Sequence, residues 1–250
     1  KSFCHILLVV LVTSCEAMTS CLYAENVEHE SILQINYGGM WQQDQYLSPL
    51  LYNGMKVGIG NEWWQPYGTS TRLGQTGKLT DWQHMGSANL QFAWTYNLTR
   101  SNIIYSVGFQ GGWGTFHTWS FRDCGIQLYL GPYLEIDYLA KLHGNSVNKP
   151  YSMDLAADIM AMGGVDYSFR GPHTSYRLRY MVRANVIGVD FLPDYWQSYY
   201  ELASGITGDI RFSGMWNHIV VRQNLTLDLQ FPHSTWRVGI GYEYLEYGKD

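Results

Sequence analysis

The sequence predicts an all-β chain, a transmembrane antiparallel up-and-down β-barrel of about ten strands. Three observations carry that prediction. The first is strict alternation of apolar and polar residues over segments far longer than ordinary strands. From Leu128 to Leu142 every second residue is apolar, while Glu135, Asp137 and Lys141 sit in the other register. Globular strands run about five or six residues, whereas a strand that crosses a bilayer needs about 9–11. The second is the placement of aromatics such as Trp41, Trp63, Trp82, Trp94, Tyr96, Trp113 and Trp236 near the ends of these segments, as in an interfacial girdle. The third is composition: 20 Tyr, 10 Trp and 26 Gly in 250 residues, with only 15% charged. The formal net charge of −5 gives no electrostatic footing for nucleic-acid binding.

The chain opens on Lys1, an apolar run Ile6–Val12 and then small and polar residues. This reads as a secretory signal peptide over 1–24, cleaved after Ala24, with the barrel over 25–250. Val12-Thr13-Ser14-Cys15 also fits a lipoprotein box, which would make Cys15 a lipidated N-terminus. After cleavage at Ala24 only Cys124 remains, so no disulfide framework is expected. Cys124 reads as an inert turn residue.

Nine long strands follow, at 31–41, 51–65, 81–97, 101–117, 125–143, 152–169, 174–190, 216–231 and 234–248. Single-chain bacterial barrels have even strand numbers, and the last residues, Glu246 to Asp250, lack the usual terminal aromatic. A closing tenth strand is therefore expected to be missing, with the chain truncated at its C-terminus.

The alternation also assigns faces. Apolar residues meet lipid and charges point into a narrow lumen, where they must pair with one another. A two-residue loop at Pro232-His233 sets Asp228 opposite Arg237 and Arg222 opposite Glu243. The same kind of count places Lys141 opposite Asp154, and Asp137 beside Asp158. On the next ladder it places Asp166 opposite Arg177, with Arg183 bridging Asp137 and Asp158. These pairs predict a salt-bridged plug. The leader directs the first strand outward, so the connections at 42–50, 98–100, 144–151 and 191–215 face outside. In the longest of them, Tyr195, Trp196, Tyr199 and Tyr200 are the candidate binding residues. The 66–80 segment is long for a periplasmic turn.

Three stretches carry a resemblance: Tyr46 to Gly54 (YLSPLLYNG), Asn148-Lys149-Pro150, and Gly188, Phe191, Pro193 with Gln197-Ser198-Tyr199-Tyr200-Glu201. They resemble an uncharacterised-domain family of Bacteroidota outer-membrane β-barrel proteins. The resemblance spans about 30 to 250, implies the barrel fold and a closing strand beyond Asp250, and brings no catalytic residues.

Chemistry is sparse. His143, Asp154 and His218 fall near the outer rim with lumen parity and are the weak catalytic candidates, since an Asp/His cluster can activate water. Asp137 and Asp158 lie mid-barrel, where a substrate has poor access. His233-Ser234 sits at a tight turn. The spacings show no metal site and no phosphate-binding glycine loop, and no cofactor is expected. The sequence therefore predicts a monomer of the bacterial outer membrane. Its partners are outer-membrane lipid and an envelope protein or ligand at the outer loops, and its role is structural or binding. A rim-active hydrolase on envelope lipid or peptide, and a small-solute pore, are the alternatives.

Overall fold

The computed structural model describes residues 5–10, 30–44, 47–66, 82–121, 125–144, 151–170, 174–192, 209–231 and 234–248. The strands are β1 (His5–Val10), β2 (Glu30–Asp44), β3 (Ser48–Pro66), β4 (Trp82–Asn97), β5 (Ile103–Phe121) and β6 (Ile126–His143). They continue with β7 (Tyr151–Arg170), β8 (Ser175–Leu192), β9 (Asp209–Gly214), β10 (His218–Phe231) and β11 (Ser234–Gly248). All belong to one antiparallel sheet in the order β1-β11-β10-β8-β7-β6-β5-β4-β3-β2, with β9 on β8. The nine long strands are those that the alternation predicts.

The sheet curls into a barrel-like wall. Its concave face brings β3 within ion-pair reach of β11, as Lys56 meets Glu243 and Glu62 meets Arg237. The end of the wall at which β2 begins is here called proximal, and the opposite end distal. Strands of 14–20 residues give the wall its height, and period two sorts the side chains. Leu33, Ile59, Leu90, Phe109, Leu134, Ile159, Leu178, Leu225 and Ile240 are exposed on the convex face. Glu62, Glu135, Asp158, Arg179, Arg222 and Arg237 are buried on the concave one. Apolar packing inside is a minority component, in which Trp64, Met85, Phe116, Tyr129, Tyr133 and Met160 form one cluster.

Two short strands differ from the sequence reading. β1 comes from the apolar run read as leader, and it pairs with β11 from His5↔Gly248 to Val10↔Glu243, also lying against β2. It thus occupies the place where a missing tenth strand was expected. β9 lies inside the segment read as an outer loop.

β9 and β10 both run antiparallel to β8, so 209–231 is one strand line interrupted at 215–217. The β8 partner changes from Val221 at Ala184 to Gly214 at Ile187. Met215, Trp216 and Asn217 are looped out. Asn217 closes that loop, accepting a hydrogen bond from Gly214 N at 2.9 Å and donating one to Phe212 O at 3.2 Å. On the other flank of β8 the register shifts between Ile159 and Met160. The two irregularities meet at Asn185, which is fully buried. Its side chain donates to His218 O at 2.7 Å and accepts from Val220 N at 2.9 Å, supplying the bonds that the ladder loses there.

Candidate functional site

The concave face concentrates the charge of the described residues into three levels. At the proximal level Asp228 faces Arg237 across the β10–β11 ladder. The guanidinium binds it with Nε–Oδ1 at 2.6 Å and Nη2–Oδ2 at 2.9 Å, a fork-to-fork pair. Arg237 Nη1 also reaches Glu62 Oε1 on β3 at 2.8 Å. Arg179 repeats the pattern, with Nε and Nη2 each 3.0 Å from the two oxygens of Asp166, and Nη1 3.4 Å from Glu62. Its guanidinium lies 4.4 Å from the centroid of Trp64, whose indole donates to Glu62 at 2.7 Å. Glu30 takes Arg177 at 2.7 Å.

At the middle level Arg222 gathers three carboxylates. It pairs with Glu135, lies 3.0 Å from both oxygens of Asp137, and donates from Nε to Glu243 at 2.7 Å. Arg183 holds the second oxygen of Glu135 at 2.8 Å and sits 5.2 Å from the Tyr133 ring centroid. Lys56 joins Glu243 from across the interior at 3.2 Å. At the distal level Lys141 bridges Asp44, at 2.6 Å, and Asp154, and Arg211 pairs with Asp190 at 3.4 Å.

Buried charges in this density are tolerated where the pairing is multiple. For Arg179, Arg222, Arg237 and Lys141 the desolvation is offset by several charge-assisted hydrogen bonds rather than by one contact.

The predicted pairs fare unevenly. Asp228–Arg237 and Arg222–Glu243 are direct cross-strand partners. Lys141 stands opposite Ser152, not Asp154, and reaches Asp154 diagonally. Asp137 stands opposite Ala156, while the like-charged neighbour of Asp158 is Glu135. Asp166 faces Arg179 rather than Arg177, and Arg177 turns to Glu30. Arg183 serves Glu135 instead of bridging Asp137 and Asp158. In both displaced ladders the true register lies two residues from the predicted one, which preserves the face and changes the partner.

The three weak catalytic candidates are held by different partners. His143 Nε2 is hydrogen-bonded with Tyr52 Oη at 2.9 Å, Asp154 is taken by Lys141, and His218 Nδ1 lies 3.7 Å from Asp158. All are buried, and no hydrogen bond or ion pair joins one candidate to another among the described residues. Tyr195, Trp196, Tyr199 and Tyr200, like Cys15, Ala24, Cys124 and His233, lie outside the described residues. Among the described residues no group of three or more His, Cys, Asp and Glu is placed to hold a metal ion.

Sequence reasoning missed Glu30, Asp44, Lys56 and Glu62. Their lumen parity on the first two long strands was readable. Their partners, which lie across the interior, were not.

The chain matches a family described as "Protein of unknown function (DUF3316)" over residues 4–248. No curated protein and no solved structure matches it.

Proposed function

The chain belongs to this family of unknown function, and we propose that it is a single-chain β-barrel of the outer membrane of a Gram-negative bacterium, of the Bacteroidota kind. Its interior is a salt-bridged plug, and its role is structural or binding, exercised through the distal loops towards a ligand or an envelope protein. The leader over 1–24 and cleavage after Ala24 belong to the same reading. Export would then remove β1, and N-terminal sequencing of the membrane-extracted protein should begin at Glu25.

One observation carries the proposal, the inversion of polarity across the wall. On the convex face Leu130 is 57% exposed, Leu134 51% and Ile240 59%, and equivalents recur on the other long strands. Soluble monomers rarely show contiguous apolar patches above a few hundred Å², and a belt around a whole sheet exceeds that. The opposite face buries the charges. In lipid this polarity is the favourable one, because most outward side chains are apolar and the charges are kept from the hydrocarbon, and a sheet closed edge to edge satisfies its backbone internally. Aromatic clusters near both ends agree with it. Phe169 stacks on Tyr176 at 5.0 Å proximally, and Tyr138 Oη lies 3.3 Å from Tyr151 Oη distally.

The test is fractionation followed by gel mobility of boiled and unboiled samples. A heat-dependent shift of protein extracted from outer membranes supports the reading. A soluble periplasmic protein without a shift defeats it.

A further inference from the structure

Three cavities follow one another along the interior. The central one, about 90 Å³, has walls rich in neutral amides, with Gln34, Asn36, Asn89, Gln91, Gln110 and Asn224 among them. The distal one, about 30 Å³, shares Lys56, Gln91, Arg222 and Glu243 with it. The proximal one, about 10 Å³, shares Gln34, Glu62 and Asn224 and adds Arg179 and Arg237. The shared residues form the partitions. Lys56–Glu243 stands between the distal and central cavities, and Glu62, held by Arg179 and Arg237, between the central and proximal ones.

We propose that the interior is a gated path for water and small uncharged polar solutes, closed at the Lys56–Glu243 pair and at Glu62. This rests on the membrane-barrel reading. The charged groups of the central wall, Lys56, Glu62, Arg183, Arg222 and Glu243, are engaged in ion pairs and leave an entering ion little counter-charge. The amides of the same wall offer donors and acceptors without net charge and so hydrate a neutral solute. Asn36 illustrates this. Its Nδ2 donates to Asn89 at 3.2 Å, while its buried Oδ1 has no protein partner among the described residues, and such an acceptor is met by a polar occupant.

The two partitions are also the removable members of the charge network. Without Lys56, Glu243 keeps Arg222. Without the Glu62 charge, Arg237 keeps Asp228 and Arg179 keeps Asp166. Lys56 is moreover a single flexible ammonium contact, unlike the forked Arg237–Asp228 and Arg179–Asp166 pairs.

The experiment reconstitutes the full-length protein in phospholipid vesicles and follows osmotic swelling in urea and in raffinose. The proteins compared are wild type, Lys56→Met, Glu62→Gln and the double variant. Heat-shifted gel mobility and flotation with the vesicles establish that each protein is folded and inserted. Their failure counts against the barrel reading, not against the gate. Wild type is expected to swell in urea little faster than empty vesicles. The double variant is expected to be faster by about tenfold or more, since each partition loses at least one charge-assisted hydrogen bond from its closed state, and to stay closed to raffinose. A folded, inserted double variant as tight as wild type overturns the proposal, as does a wild type that already admits raffinose.

Discussion

Asp228 and Arg237 stand directly opposite each other on β10 and β11 and are joined by two parallel hydrogen bonds of 2.6 and 2.9 Å, both side chains being buried. Arg237 also carries Glu62 and approaches Glu30 at 3.5 Å, so one guanidinium serves three carboxylates. Replacing it by Met would leave Asp228 with no cation in ion-pair contact among the described residues. The expected loss is about 3–5 kcal/mol, the cost of breaking a buried pair from one side. It should appear as a clear drop in the temperature at which the gel mobility shifts. Asp228→Asn should cost less, since it removes the charge that needs Arg237 while Arg237 keeps Glu62. Equal effects of the two substitutions would refute this asymmetry.

That pair was legible in the sequence for a definite reason. A two-residue connection at Pro232-His233 leaves one register open to β10 and β11, so facing residues can be counted outward from it. The connections at 144–150 and 171–174 allow several registers, and there the count differs from the structure by two residues. Because the side-chain period is also two, the count assigns Asp154, Asp166, Arg177 and Arg183 the correct face and the wrong partners. Contacts such as Arg237–Glu62 and Lys56–Glu243 depend on how tightly the sheet curls, which no local pattern encodes. The looped-out residues 215–217 were invisible for a different reason. The compensating residue, Asn185, looks in the sequence like any polar residue on a lumen face.

Asn185 gives the second prediction. It supplies both a donor and an acceptor where β8 changes partner, so Asn185→Ala removes two hydrogen bonds from a buried place. Each bond lost there costs about 1–3 kcal/mol. The loss should be local before it is global, with faster amide hydrogen exchange at 209–220 than in β5 or β6. Uniformly faster exchange through the sheet would show that the irregularity is not a separate unit.

A third prediction concerns the proximal convex face of β4 and β5. Trp82 meets His117 edge-on at 5.2 Å, His117 lies 4.6 Å from Trp119, and His84 stacks on Trp113 at 5.0 Å. Trp82, Trp113 and Trp119 are exposed. In the membrane reading these amphipathic rings lie at headgroup depth. The emission lost in Trp119→Phe should therefore be quenched more by lipids brominated near the headgroup than by lipids brominated near the chain end. The reverse order would place this end inside the hydrocarbon, and no quenching by either would remove it from the bilayer.

The polarity inversion itself predicts a depth profile. Leu128, Leu134 and Leu142 lie on one convex stripe of β6, at the proximal end, the middle and the distal end, and all are exposed. In a soluble sheet an arginine at any of the three would be solvated, and surface substitutions of that kind change stability by only about ±0.5 kcal/mol. In a bilayer the cost depends on depth: about 2–4 kcal/mol at the midplane, falling to about 0–1 kcal/mol near the interfaces. Leu134→Arg should therefore lower the yield of folded protein in vesicles well below that of Leu128→Arg or Leu142→Arg. Gln110, on the lumen side of the neighbouring strand, supplies the control, because an arginine there has Asp137 and Glu243 within reach, the carboxylates that Gln110 itself contacts at 3.1 and 3.4 Å. If all three stripe positions accept arginine equally well, the convex face does not meet lipid. The exposed leucines would then face water, as in a soluble sheet.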